Sequence, residues 1–148
     1  RLALICSPGG HLTEMMMLDS ALEGHERFLV VARRPRTEAL ASRQRLYLIP
    51  DVGTNLRLMT LTFFRVLGIL IRKSPDIIVS TGAEVLFPFP GWASCLGAKV
   101  VNIESWCRFQ TRSGPGPLVY PATDLFLVQW PTLLDKYGPK ARYEGRLL

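Results

Sequence analysis

Short apolar runs recur along this chain, each closed by a polar or glycine-containing turn and most followed by a helical pattern, and that alternation leaves few folds open. Leu2 to Cys6 runs into Ser7-Pro8-Gly9-Gly10, after which apolar residues fall at helical spacing from Leu12 to Leu22. Phe28 to Ala32 and Leu46 to Ile49 read as further buried strands, with a short helical piece at Thr37 to Arg43 between them. Thr54 is placed to cap a long helix running to about Lys73, where Ser74-Pro75 stops it. Asp76 to Ser80 is a β-branched strand with Thr81-Gly82-Ala83 as its turn, and Val85 to Leu96 is a helical pattern broken by Pro88 and Pro90. Lys99 to Ile103 and Leu125 to Gln129 are the fifth and sixth strands, separated by an irregular loop from Trp106 to Pro117. A helix at Leu133 to Tyr137 and a terminal strand at Arg142 to Gly145 complete the pattern.

Apolar strands alternating with helices imply parallel βαβ units, hence an α/β, Rossmann-like parallel sheet with helices on both faces. A length of 148 residues suits a single such domain spanning 1–148. Sheets of this kind bind ligands beyond the carboxyl ends of their strands, which directs attention to Ser7–His11, Thr81–Glu84 and Glu104–Arg112.

In those turns stand the residues able to carry chemistry. Gly9 and Gly10 allow a tight turn and close approach to a ligand, and the amides opening the next helix offer donors to an anion. His11, at that helix start, is a candidate to take a proton from an acceptor hydroxyl, or else simply caps the turn, with Glu14 complementing the helix dipole. Thr81 and Gly82 repeat the strand-to-glycine arrangement, and the neighbouring Glu84 reads as a helix cap or a sugar ligand. Glu104 and Ser105 end a buried strand, where a carboxylate is placed to hold a sugar or orient His11. Beyond them Arg108 and Arg112 either clamp a diphosphate or form a solvated basic loop.

The helix after the third strand is apolar at most positions from Leu56 to Ile71, yet Arg57, Arg65 and Arg72 recur at spacings of eight and seven and so share one sector of the helix surface. The stretch falls short of the ~20 residues that span a bilayer. It reads either as a core helix or as one lying in a membrane interface through Arg57, Phe63, Phe64, Arg65, Leu67, Leu70 and Arg72. A mean hydropathy of +0.18 and a net charge of +6 fit an apolar surface that meets an anionic partner, without choosing among lipid head groups, nucleotide phosphates and nucleic acid. Cys6, Cys95 and Cys107 have neither metal-ligand spacing nor an even count for a disulfide framework. No acidic pair, histidine pair or Gly-Lys-Ser/Thr loop supports a metal site or ATP hydrolysis.

Taken in order, Ser7-Pro8-Gly9-Gly10-His11-Leu12-Thr13-Glu14-Met15, then Ile103-Glu104-Ser105, Arg108, Gly114 to Tyr120-Pro121, Asp124, Leu127-Val128-Gln129-Trp130-Pro131 and Tyr143-x-Gly145-Arg146, resemble a known family over nearly the whole chain. It is the membrane-anchoring subunit of the two-part UDP-N-acetylglucosamine transferase of the dolichol pathway, with its bacterial exopolysaccharide (PssD-type) relatives. The resemblance implies the N-terminal, acceptor half of a GT-B glycosyltransferase, an inverting transfer without a cofactor or required metal, and a place on the cytosolic face of a membrane. Implied partners are a separate donor-binding subunit, a UDP-sugar, a lipid-linked saccharide acceptor and the membrane surface, and not nucleic acid. His11 and Glu104 become the expected catalytic groups, with Gly9, Gly10, Glu14, Thr81, Gly82, Ser105, Arg108 and Arg112 around the substrates.

Trp106-Cys107 stands where the family often has Phe-Ala, a packing change, and the N-terminal transmembrane anchor of the family's eukaryotic members is not found within residues 1–148. Attachment is therefore expected to fall to the Leu56 to Lys73 helix. Two rivals remain from the residues alone: a non-catalytic scaffold that activates a partner transferase, and a stand-alone nucleotide-binding domain. The second lacks a third glycine after the first strand and has Arg33 and Arg34 where an acidic residue belongs.

Overall fold

The computed structural model describes residues 1–42, 45–53, 55–81 and 96–147. Its strands are β1 (Leu2–Cys6), β2 (Arg27–Ala32), β3 (Arg45–Ile49), β4 (Ile77–Thr81), β5 (Lys99–Ile103), β6 (Leu125–Leu127) and β7 (Ala141–Arg142). Every pairing is parallel, and the sheet order is β3-β2-β1-β4-β5-β6-β7. The order reverses at β1, which lies between β2 and β4, so the crevice for a ligand opens where these strands end. In that register Cys6 pairs with Thr81, which sets the turns after β1 and β4 side by side.

Alternation along the buried strands divides the core in two. Ala3 and Ile5 of β1 join Phe28, Val30 and Ile78 under Val66 and Leu70 of helix α3 (Leu56–Lys73). Leu2, Leu4 and Cys6 join Leu29, Val31 and Val79 on the opposite face, under Leu12 and Met15 of helix α1 (Gly10–Met17). Helices therefore cover both faces, as the strand pattern requires. Burial in this core raises the Cys6 thiol to about 12, so it behaves as an inert apolar group.

Local departures from the sequence reading have identifiable causes. Helix α1 ends at Met17 and passes into a 3₁₀ turn at Ser20–Leu22, and α2 (Pro35–Glu38) passes similarly into one at Ala39–Ser42. The cap of α3 is Asn55, whose side chain accepts from the Leu58 amide at 3.1 Å; Thr54 lies outside the described residues. At its other end Ser74 turns left-handed (φ 42°) and donates its amide to the Leu70 carbonyl, and Pro75 forbids another turn. β6 stops at Leu127, beyond which Gln129 turns its side-chain amide inward onto the Glu104 carbonyl, and β7 is only Ala141–Arg142, paired with Phe126 and Leu127. Short helices α4 (Gly116–Val119) and α5 (Leu134–Tyr137) follow β5 and β6. The expected helix from Val85 to Leu96 falls almost wholly outside the described residues, as do Gly82, Glu84 and Cys95.

Helix α3 resolves the two readings of its apolar run into two faces. Leu70 is 1% exposed and belongs to the core, which removes it from any membrane-contact set, and Phe63 and Leu67 are half-buried against the same core. The outer face carries Leu61 (71% exposed), Phe64 (61%) and Ile71 (54%), interleaved with exposed Arg57, Arg65 and Arg72. Among the described residues no helix is long and apolar enough to cross a membrane.

Candidate functional site

A cavity of about 450 Å³ opens at the carboxyl ends of β1 and β5. Gly10, His11 and Glu14 of α1 form one wall, Glu104 to Arg108 after β5 form a second, and Ser113 to Pro115 close the third. The loop after β1 makes this possible: Gly9 takes φ 95° and ψ −133°, a backbone that L side chains rarely adopt, and turns the chain directly into α1. Among the described residues no side chain caps that helix, so its first-turn amides are open to a ligand.

His11 is held through its backbone. The Thr81 hydroxyl, wholly buried at the end of β4, donates to the His11 carbonyl at 2.9 Å. Thr81 thus braces the histidine and does not line the cavity. The imidazole is 32% exposed, and its Nδ1 lies 3.7 Å from Oε2 of Glu14, whose side chain is 2% exposed. The other Glu14 oxygen, Oε1, accepts from the Ser105 hydroxyl at 2.9 Å and the Trp106 amide at 3.2 Å. Glu14 therefore ties α1 to the loop that carries Arg108.

Glu104, 3% exposed, sits in a separate cluster. Its Oε1 accepts from the Ser105 amide at 2.9 Å; its Oε2 accepts from the Ser113 hydroxyl at 2.9 Å, the Ser113 amide at 3.4 Å and the Tyr137 hydroxyl. Burial of the phenol, together with that carboxylate, pushes the Tyr137 hydroxyl well above its ordinary range and keeps it a donor. Gly116 packs so closely that a Cβ there would overlap Tyr137 Oη and lie 2.7 Å from Ser113 Oγ. Gln129, 2% exposed, donates to the Glu104 carbonyl at 3.0 Å and accepts from the Leu147 amide at 3.0 Å, linking this strand end to the C-terminal segment.

The carboxylate facing His11 is thus Glu14, whereas sequence reasoning gave the orienting role to Glu104. Arg108 lines the cavity; Arg112 does not, and its guanidinium reaches the Lys136 carbonyl at 3.4 Å. Gly9 lines a neighbouring cleft with Arg34 and Arg36. Ser113 and Tyr137 were not singled out from the sequence, and Gly116 and Gln129 stood there only within the runs Gly114 to Tyr120 and Leu127 to Pro131, without a role. Gln129 also stands out as a polar residue directly after an apolar run; the roles of Ser113, Gly116 and Tyr137 arise from contacts formed across loops.

The family described as "Oligosaccharide biosynthesis protein Alg14 like" matches residues 51–147. The human UDP-N-acetylglucosamine transferase subunit ALG14 is 35% identical over 103 residues, covering 66% of this chain and 45% of the human protein. The chain thus spans less than half the length of that relative. Among solved structures, MurG of Acinetobacter baumannii superposes with a TM-score of 0.73 at 12% identity, over 97% of this chain and 45% of MurG. A UDP-N-acetylglucosamine 2-epimerase from Rickettsia bellii gives 0.70 at 13% identity, over 99% of this chain and 44% of the epimerase. At such identities the likeness concerns the fold alone, a Rossmann-like N-terminal half of the GT-B type.

Proposed function

The chain belongs to the Alg14-like family of oligosaccharide biosynthesis proteins, and on that premise we propose that it is the acceptor-binding half of a split, inverting glycosyltransferase. A separate donor-binding subunit holds the UDP-sugar, N-acetylglucosamine or a related sugar, and the acceptor is a saccharide linked to a lipid diphosphate. One observation carries the reading: His11 stands at the wall of a cavity beyond the strand ends, with a buried carboxylate behind its imidazole.

In this mechanism the acceptor hydroxyl enters the cavity and gives its proton to His11 as its oxygen bonds to the anomeric carbon. The bond from that carbon to UDP breaks, and its electron pair leaves with the diphosphate. Displacement from the opposite side inverts the anomeric centre. The first-turn amides of α1 and the Arg108 guanidinium are the groups in place to stabilise phosphate charge. Glu104, engaged by Ser105, Ser113 and Tyr137, holds the second wall in shape.

The outer face of α3 supplies membrane attachment at the cytosolic surface. Leu61, Phe64 and Ile71 enter the interface while Arg57, Arg65 and Arg72 meet anionic head groups, at about 1 kcal/mol per basic residue. The deciding assay is transfer of labelled sugar on membranes by this chain, by its donor-binding partner, and by both. Transfer is expected from the mixture alone, and His11→Ala should abolish it while the two subunits still co-purify. Full transfer by the partner alone would leave this chain a scaffold and overturn the proposal.

A further inference from the structure

Two buried polar atoms in the cavity wall have no hydrogen-bond partner among the described residues, and they face each other: His11 Nδ1 and Glu14 Oε2, 3.7 Å apart. A buried acceptor without a donor is destabilising, so such a pairing is retained where it serves a bound state. The carboxylate cannot swing away to find water, because Oε1 is fixed by the Ser105 hydroxyl and the Trp106 amide from the far side of the cavity. The imidazole backbone is fixed by Thr81. Only the ring torsions of His11 remain to bring the two atoms together.

We infer that Glu14 is a positioning residue for His11: its Oε2 accepts a proton-bearing Nδ1, which leaves the lone pair of Nε2 as the site that receives the acceptor's proton. This deepens the proposed function and rests on it for the catalytic consequence, though the tautomer itself does not. Nδ1 is shut off from solvent although the side chain as a whole is 32% exposed, so the part of His11 that a substrate hydroxyl can reach lies away from Nδ1. When Nε2 takes that proton, the imidazolium is balanced by a carboxylate already desolvated beside it. Because Oε1 of the same carboxylate holds the Trp106 amide, placement of the base is also coupled to the loop bearing Arg108.

Glu14→Gln separates this role from simple packing. The amide oxygen keeps the bonds from Ser105 and Trp106, but its NH₂ now faces Nδ1 and donates to it, forcing the proton onto Nε2. Nitrogen-15 spectra of the labelled chain at about pH 8.5, above the ordinary imidazole range, read the tautomer directly, and His25→Gln assigns the two histidines. The Nδ1–H form is expected for His11 in the native chain and the Nε2–H form in Glu14→Gln. Glu14→Asp, which keeps a carboxylate, should retain Nδ1–H, and an Nε2–H form in the native chain overturns the inference by itself, so the test stands even where the glutamine variant fails to fold. In the reconstituted pair Glu14→Gln should lower kcat by about a hundred- to ten-thousand-fold with little change in acceptor KM, and add nothing to the loss in His11→Ala. The same tautomer in native, Gln and Asp chains, or unchanged kcat in Glu14→Gln, overturns the inference. Full activity of His11→Ala would instead overturn the assigned base, whatever the spectra show.

Discussion

Replacing Gly116 by alanine tests the cluster around Glu104 most directly. The added Cβ would overlap Tyr137 Oη and stand 2.7 Å from Ser113 Oγ and 3.0 Å from Glu104 Oε2, so the phenol and the serine must both withdraw. Each is a hydrogen-bond donor to a buried carboxylate, and such bonds contribute about 1.5–3 kcal/mol apiece. Small shifts of both partners will recover part of that, which leaves an expected loss of about 2–4 kcal/mol. For a chain of 148 residues this corresponds to a fall in Tm of roughly 5–15 °C. Urea unfolding should show a lower midpoint at unchanged slope. Gly114→Ala is the control, since nothing lies within 4 Å of a Cβ there, and it should stay within about 0.5 kcal/mol of the native chain. Tyr137→Phe removes the overlapped hydroxyl, so the double variant should cost clearly less than the two single changes added together. A Gly116→Ala chain as stable as native, or strict additivity with Tyr137→Phe, would refute the packing argument.

On α3, Leu70→Ala should cost about 2–5 kcal/mol in urea unfolding, whereas Phe64→Ser should leave stability within about 0.5 kcal/mol and weaken sedimentation with anionic vesicles. Equal vesicle binding by the two chains would place the contact elsewhere. Asp124 accepts from Lys99 Nζ at 2.9 Å and the Val100 amide at 2.8 Å, and these bonds hold its carboxyl below the ordinary range. A pKa depressed by folding means the stabilisation is complete above the ordinary aspartate value and is lost as pH falls through the lower, folded-state value. Asp124→Asn should therefore be less stable than native at neutral pH, with a flatter acid limb in thermal unfolding followed against pH; parallel limbs would exclude Asp124 as a contributor.

The layout of the sheet was legible from the chain because strand and helix periodicities are local. Leu2 to Cys6 and Phe28 to Ala32 alternate between two buried faces, and an all-apolar run of that length fits a central parallel strand with helices on both sides. Gly9-Gly10-His11 was legible for the same reason, since a glycine turn leading straight into a helix puts the next side chain at the mouth of the crevice. Bounds were less so: Asn55, not Thr54, caps α3, and the seventh strand shrinks to what its short neighbour can pair.

What the chain alone could not decide was which side chain meets which across loops. The apolar run of α3 has too few polar positions to say which residues face the sheet; the strands beneath it put Val66 and Leu70 inside and leave Phe64 outside. His11 and Glu14 were each visible, one turn apart on a helix, yet the carboxylate became the imidazole's neighbour only when Ser105 and Trp106, 91 and 92 residues away, took hold of its other oxygen. Glu104 read as free to act until Ser113 and Tyr137 folded over it. Periodicity follows from backbone geometry within a few residues, whereas the partner of a buried charge is set by chain closure over scores of residues, where desolvation demands whichever donor the fold brings near.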